Sequence, residues 1–154
     1  MKRIVSALLC LMMLFSILPY AAVHAEETEE KMAENICSYE AITDYSGFKS
    51  LVHLFDEKDH WGSPSSANSS LTLENKEGIA SLYIIFYKDQ PYYTVTDNAT
   101  GTVYTREDPF LHDFLDLEAA FGNIPTSVTI TFGPDDLIIN ELYAFTEGTR
   151  PAEV

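Results

Sequence analysis

The chain has 154 residues and sets 9 Lys and Arg against 24 Asp and Glu, a formal net charge of −15 at pH 7. That length supports one domain and is too short for two full ones. A field of this sign repels polyanions, which excludes DNA and RNA as partners and disfavours anionic membrane surfaces.

Lys2 and Arg3 give the chain a positive start, and residues 4–18 are almost continuously apolar, with Ser6 and Ser16 the interruptions. Pro19 breaks that run, and Val23-His24-Ala25 places small residues before the acidic Glu26-Glu27. The pattern is that of a secretory signal peptide. An apolar run of about 15 residues is short for a bilayer span, which needs about 20. The expectation is therefore an exported protein, cleaved near Ala25, with no transmembrane anchor afterwards and function confined to residues 26–154. Without Lys2 and Arg3, 7 basic residues face 24 acidic ones and the net charge falls to −17. Cys37 is then the one cysteine left, so an internal disulfide is impossible despite the oxidising destination, and stability must come from an apolar core. With no histidine near it in sequence, Cys37 reads as a buried or incidental thiol.

Residues 26–38 read as an acidic, flexible leader. Phe48, Leu51, Val52 and Phe55 recur at i, i+3, i+4 and i+7, which predicts a short amphipathic helix over residues 46–55 with Ser46 as its N-cap. Residues 62–70 (Gly-Ser-Pro-Ser-Ser-Ala-Asn-Ser-Ser) are a loop by composition. From Leu71 onward the period changes to 2. Residues 71–73 alternate around Thr72, and residues 79–87 are apolar on both faces, as a strand inside a two-layer structure would be. Residues 92–96 are aromatic and β-branched, 97–101 are turn chemistry, and 102–105 return as a strand. Residues 111–117 alternate, with Asp113 on one face and His112 on the other. A short helix is expected over 118–121. Residues 126–132 turn Val128, Ile130 and Phe132 inward, and residues 137–146 form a last strand in which the run Leu137-Ile138-Ile139 calls for a bulge. Six or seven short strands with turns every 8–12 residues predict an all-β antiparallel β-sandwich with one short helix near its N-terminus, spanning residues 39–150. Residues 151–154 are left as a tail or the start of a linker.

Leu71-Thr72-Leu73, residues 79–85, residues 110–117, residues 126–132 and residues 141–148, in that order, resemble the galactose-binding-like (discoidin-type) β-sandwich, a jelly-roll. Leu54-Phe55-Asp56 and Trp61 resemble the segment that opens discoidin domains. More narrowly, the chain is similar to the module that precedes the catalytic domain in secreted bacterial PIG-L/LmbE-like deacetylases. The resemblance implies a partner catalytic domain with a His and Asp zinc motif. Asp135-Asp136, the only adjacent Asp pair, follows Gly133-Pro134 and reads as a turn. The resemblance also implies a structural calcium at the carboxylates of Asp56 and Asp59, since loop carboxylates and carbonyls suit that ion; the plain alternative is a solvated acidic loop.

Serines 65, 66, 69 and 70 lack a nucleophile-elbow context, and the glycines are isolated, so neither a serine hydrolase nor a phosphate cradle is supported. His53 and His60 straddle Asp56 and Asp59 at a spacing that matches no standard zinc site. The binding signal lies in the aromatics. Trp61, Tyr92 and Tyr93 can stack on sugar rings, and Arg106 can bond sugar hydroxyls or a uronate, on loops 56–61, 88–92 and 106–109. Trp61 has a second reading, as part of the core. The expected function is an exported, non-catalytic module that binds a glycan or cell-wall polysaccharide. The alternatives are a structural accessory domain of a deacetylase and a small hydrolase using some pair of the 24 acids.

Overall fold

The computed structural model describes residues 35–56, 62–88 and 92–148. They form strands β1 (Ile42–Phe48), β2 (Ser63–Glu74), β3 (Ser81–Phe86), β4 (Tyr92–Asp97), β5 (Val103–Glu107), β6 (His112–Asp116), β7 (Ser127–Phe132) and β8 (Leu137–Phe145). One short helix, α1 (Leu117–Phe121), follows β6. Asp116 caps it by accepting the Ala119 N–H at 2.9 Å, and Gly122 ends it at φ 75°, a conformation open to glycine without cost. No helix among the described residues is long and apolar enough to cross a membrane.

All pairings are antiparallel and run in the order β5-β4-β7-β2-β8-β3-β6, with β1 on β2. The sheet folds over at β2. Ser70–Glu74 pair with β7, whereas Ser63–Ser65 pair with β8. Between them Ser66, Ala67 and Asn68 are exposed, and Asn68 adopts φ 56°, which lets the chain pass from one layer to the other. The core fills the space between the layers. Leu71, Val95, Val128 and Ile130 come from one side and Leu82, Ile84, Leu115 and Leu142 from the other. β3 is buried along its whole length, because Tyr83 and Ile85 form a further apolar cluster with Phe145 on the opposite face of their layer.

The all-β sandwich predicted from the alternating segments is present, with eight strands among the described residues. Three local expectations need correction. Residues 46–55 are not a helix. β1 hydrogen-bonds along β2, Gly47 sits at φ 81°, and only a 3-10 turn at Val52–Leu54 follows. The burial also differs from the helical pattern: Leu51 and Leu54 are buried and Phe48 packs edge-on against Phe132 at 6.0 Å, whereas Val52 is 49% exposed. A helix this short has no stability of its own, so sheet pairing wins. Residues 63–70 are not a loop but most of β2. Ser63, Ser65 and Ser69 take its inward positions, and Ser69 donates its hydroxyl to Ser65 at 2.9 Å. Tertiary pairing overrides a composition poor in strand formers. The bulge expected at residues 137–139 falls slightly later. Ile85 pairs with Glu141 and Phe86 with Ile139, so Asn140 is the extra residue.

The packed structure also reaches back into the expected leader. Ile36 donates its N–H to Ala144 at 2.8 Å. Asn35 accepts from the Ala144 and Cys37 N–H groups at 3.1 and 2.9 Å. Cys37 is a free thiol, 5% exposed, within the core, and burial pushes its ionisation up from the ordinary value.

Candidate functional site

The registers place one set of connections at a single end of the sandwich. Phe48 lies opposite Ser65, Ser65 opposite Leu137, Phe86 opposite Ile139, Ile85 opposite His112, Tyr92 opposite Glu107 and Tyr93 opposite Phe132. Residues 49–56, 87–88, 108–111 and 133–136 therefore meet at this end. Of the loops expected from the sequence to carry a ligand, Asp56, Lys88, Tyr92 and residues 106–109 are described and lie at this end, whereas residues 57–61 and 89–91 lie outside the described residues.

Aromatic rings close the core beneath these loops. Phe86, Tyr93 and Phe132 have centroids 6.0 to 6.3 Å apart, and Phe48 joins Phe132 from β1. Beside them a polar clamp ties the two layers together. Tyr93 donates its hydroxyl to Asp113 Oδ2 at 2.7 Å. Arg106 donates from Nε to Oδ2 at 3.0 Å and from Nη2 to Oδ1 at 2.8 Å. β5 and β6 are the opposite edges of the curled sheet, so the Arg106–Asp113 pair joins its two ends. Asp113 is 0% and Arg106 29% exposed. This bidentate geometry satisfies a carboxylate that would be costly to bury alone. The hydrogen bonds to Asp113 hold the Arg106 guanidinium above its ordinary value. Burial, then the Asp113 charge, pushes the Tyr93 phenol up.

Tyr93 thus faces the interior, with its ring in the core and its hydroxyl on Asp113. Arg106 presents only an edge to solvent, with Nε and Nη2 committed to Asp113. Tyr92, its neighbour on β4, points outward at 39% exposure. With Thr105, Glu107 and Asp108 it lines an open groove of about 360 Å³. Asp108 there holds φ 49°, uncommon for a residue other than glycine. Trp61 and Asp59 lie outside the described residues. Asp56 is described, and its Oδ2 lies 3.0 Å from His53 Nδ1. Among the described residues no group of three or more His, Cys, Asp or Glu could hold a metal. His112 and Asp113 do face opposite ways. His112 is exposed, with Nδ1 2.9 Å from the Tyr83 hydroxyl, whereas Asp113 is buried.

Sequence reasoning missed a second groove at this end, of about 250 Å³, bordered by Lys49, Tyr87, Lys88 and Asp136 over Pro64 and Ile138. Tyr87 is 65% exposed; the strand expected to bury it ends one residue earlier, at Phe86. Pairing of β1 with β2 places Lys49, and no local motif signals that. A larger groove of about 600 Å³ lies at the opposite end, between Glu40, Glu74, Lys76 and Ser127. None of its described lining residues is aromatic.

No family model and no curated protein matches the chain. Solved structures do. The crystal structure of SpGH29 matches with a TM-score of 0.52 at 10% identity, over 68% of this chain and 26% of that one. CpGH89CBM32-6, produced by Clostridium perfringens, matches at 0.49 and 15% identity, over 73% and 98% of the two chains. A pectin binding carbohydrate binding module matches at 0.49 and 14%, over 73% and 91%. The chain thus spans about a quarter of the length of SpGH29, and the likeness to it is one of fold.

Proposed function

We propose that the protein is a non-catalytic carbohydrate-binding module whose ligand lies across the loop end that carries Tyr87 and Tyr92. One observation carries this reading: two open grooves, each bordered by an exposed tyrosine, lie at the end of the sandwich where packed aromatics and the Tyr93–Asp113–Arg106 clamp close the core. Exposed rings supply flat apolar faces for the C–H side of a sugar, and nearby carboxylates and hydroxyls bond its rim. A rigid scaffold lowers the ordering cost of binding. Trp61 adds a third ring in this proposal, and Arg106 takes part through the edge it leaves to solvent. Tyr93 supports the site from behind.

The module works after export, cleaved near Ala25, where intact mass of the secreted protein finds the cut. Calorimetric titration against a panel of neutral and acidic saccharides tests the function. Tyr87→Ala or Tyr92→Ala is expected to weaken the best ligand about fivefold or more, the loss typical of a buried anchor. Absence of any saccharide binding would favour the structural accessory role instead.

A further inference from the structure

Building on the carbohydrate reading, we infer that Phe110 joins Tyr87 in a two-ring platform that takes a linear, neutral β-1,4-linked oligosaccharide along the row Pro64, Ile138, Tyr87 and Phe110. Exposure marks the platform. Phe110 is 70% and Tyr87 65% exposed, the highest values among the large hydrophobic side chains of the described residues.

Backbone pairing sets the two residues side by side. β3 and β6 pair as far as Ile85 and His112. One step further in that register, Phe86 donates its N–H to the Leu111 carbonyl at 2.8 Å. The next step brings Tyr87 opposite Phe110. On its other side Tyr87 donates its N–H to the Ile138 carbonyl at 3.1 Å, and Ile138 lies opposite Pro64 on β2. Four chain segments thus carry one apolar residue each, in a row about 14 Å long at three strand spacings. Alternation along β3 buries Phe86 in the core and turns Ile85 and Tyr87 to the outer face of their layer. Pro64, Ile138 and Tyr87 line the groove of about 250 Å³, and Phe110 extends the apolar row beyond it.

The chemistry of the row narrows the occupant. Phe110 has no polar side-chain atom, Ile138 is a branched hydrocarbon and Pro64 has no N–H. The Tyr87 hydroxyl is the row's one polar side-chain group, so contact is by C–H faces rather than by charge. A β-1,4-linked chain of equatorially substituted pyranoses is an extended ribbon, with hydroxyls along its edges and axial hydrogens over its faces. It meets the row face-on while its edges reach the polar rim at Lys49 and Asp136. An α-1,4-linked chain coils and sets fewer rings against the row. A protein partner fits less well. The two rings offer on the order of 300 Å², against about 800 Å² per partner in a stable protein interface. A net charge of −15 opposes a second copy of the chain.

The test is calorimetric titration with oligomers of one to four units of β-1,4-linked glucose and of β-1,4-linked N-acetylglucosamine, beside glucose oligomers in α-1,4 linkage. In at least one β-linked series, affinity is expected to rise about fivefold or more from one unit to three, the gain of a second stacked ring. The α-linked series should stay level. Phe110→Ala should remove most of that rise and leave the affinity for the single sugar unchanged, whereas Phe110→Tyr should keep the rise. Thermal melts of both variants should match the parent, since the side chain is exposed. A level or absent response to both β-linked series in the parent, or a rise as steep in Phe110→Ala as in the parent, would overturn the inference while the carbohydrate reading stands on any other saccharide that binds. Failure of every saccharide to bind would remove both.

Discussion

At the scale of single residues, Asp113 is a costly side chain to place, since it is fully buried at a layer edge. Its acceptor capacity is met by one hydroxyl and one guanidinium, and each partner has a separable effect. Arg106→Ala leaves a buried carboxylate without its counter-charge and is expected to cost about 3–5 kcal/mol in a denaturant melt. Tyr93→Phe keeps the ring in the core and removes one bond to a charged group, at about 1.5–3 kcal/mol. Equal small losses for both would mean that water replaces the clamp. Asp97 illustrates the same economy in a turn. Burial works to raise its ionisation, but donors from the Ala99 N–H, the Thr100 hydroxyl and the Asn123 amide together hold it below the ordinary 3.8. A lowered value means that the folded state favours the charged form. Its contribution is complete above the ordinary carboxylate range and is lost as pH falls through the folded-state value. Asp97→Asn should therefore flatten the acid limb of a plot of stability against pH. An unchanged limb would show that other carboxylates govern acid unfolding.

At the scale of elements, the sequence was legible where burial and period agree. Val128, Ile130 and Phe132 alternate inward along β7 as their spacing predicts, and β3 is buried on both faces. It was illegible where pairing supplies what local preference does not. Nothing in Ser63-Pro64-Ser65-Ser66 announces a strand, yet β2 pairs with three neighbours and carries the fold-over. Phe48, Leu51, Val52 and Phe55 fit a helix by spacing, but the strand end and 3-10 turn that form instead bury Leu51 and Leu54 and leave Val52 exposed. The candidate site divides the same way. Tyr92 and Tyr93 were readable as rings at a strand start, but not that Tyr92 alone faces outward. The commitment of Tyr93 and Arg106 to Asp113 depends on β4, β5 and β6 meeting across the layers, a contact between distant parts of the chain that no short motif encodes. The N-terminal boundary moves for a related reason, since Cys37 packs in the core through bonds from its neighbours to β8. Cys37→Ser then buries a hydroxyl in apolar surroundings and should cost about 1–3 kcal/mol. A neutral result in thermal melts would return residues 35–38 to the leader.

At the scale of the whole molecule, the excess of acid shapes what can approach. A net charge of −15 opposes the approach of long polyanions. The calcium proposed at Asp56 and Asp59 would relieve some of that charge. If it is held, calcium should raise the melting temperature by mass action on the folded state, magnesium should do less, and Asp56→Asn should remove most of the difference. Equal effects of the two ions would mean general screening of an acidic surface. The central claim is that the end carrying Tyr87 and Tyr92 binds saccharide, and its most direct test is to map amide chemical-shift changes as a binding sugar is titrated into the labelled protein. The account predicts saturable changes at Lys49, Tyr87, Lys88, Tyr92 and Glu107, with Glu40, Glu74 and Lys76 at the far end unmoved. Changes centred on that far groove, or none with any sugar, would contradict it.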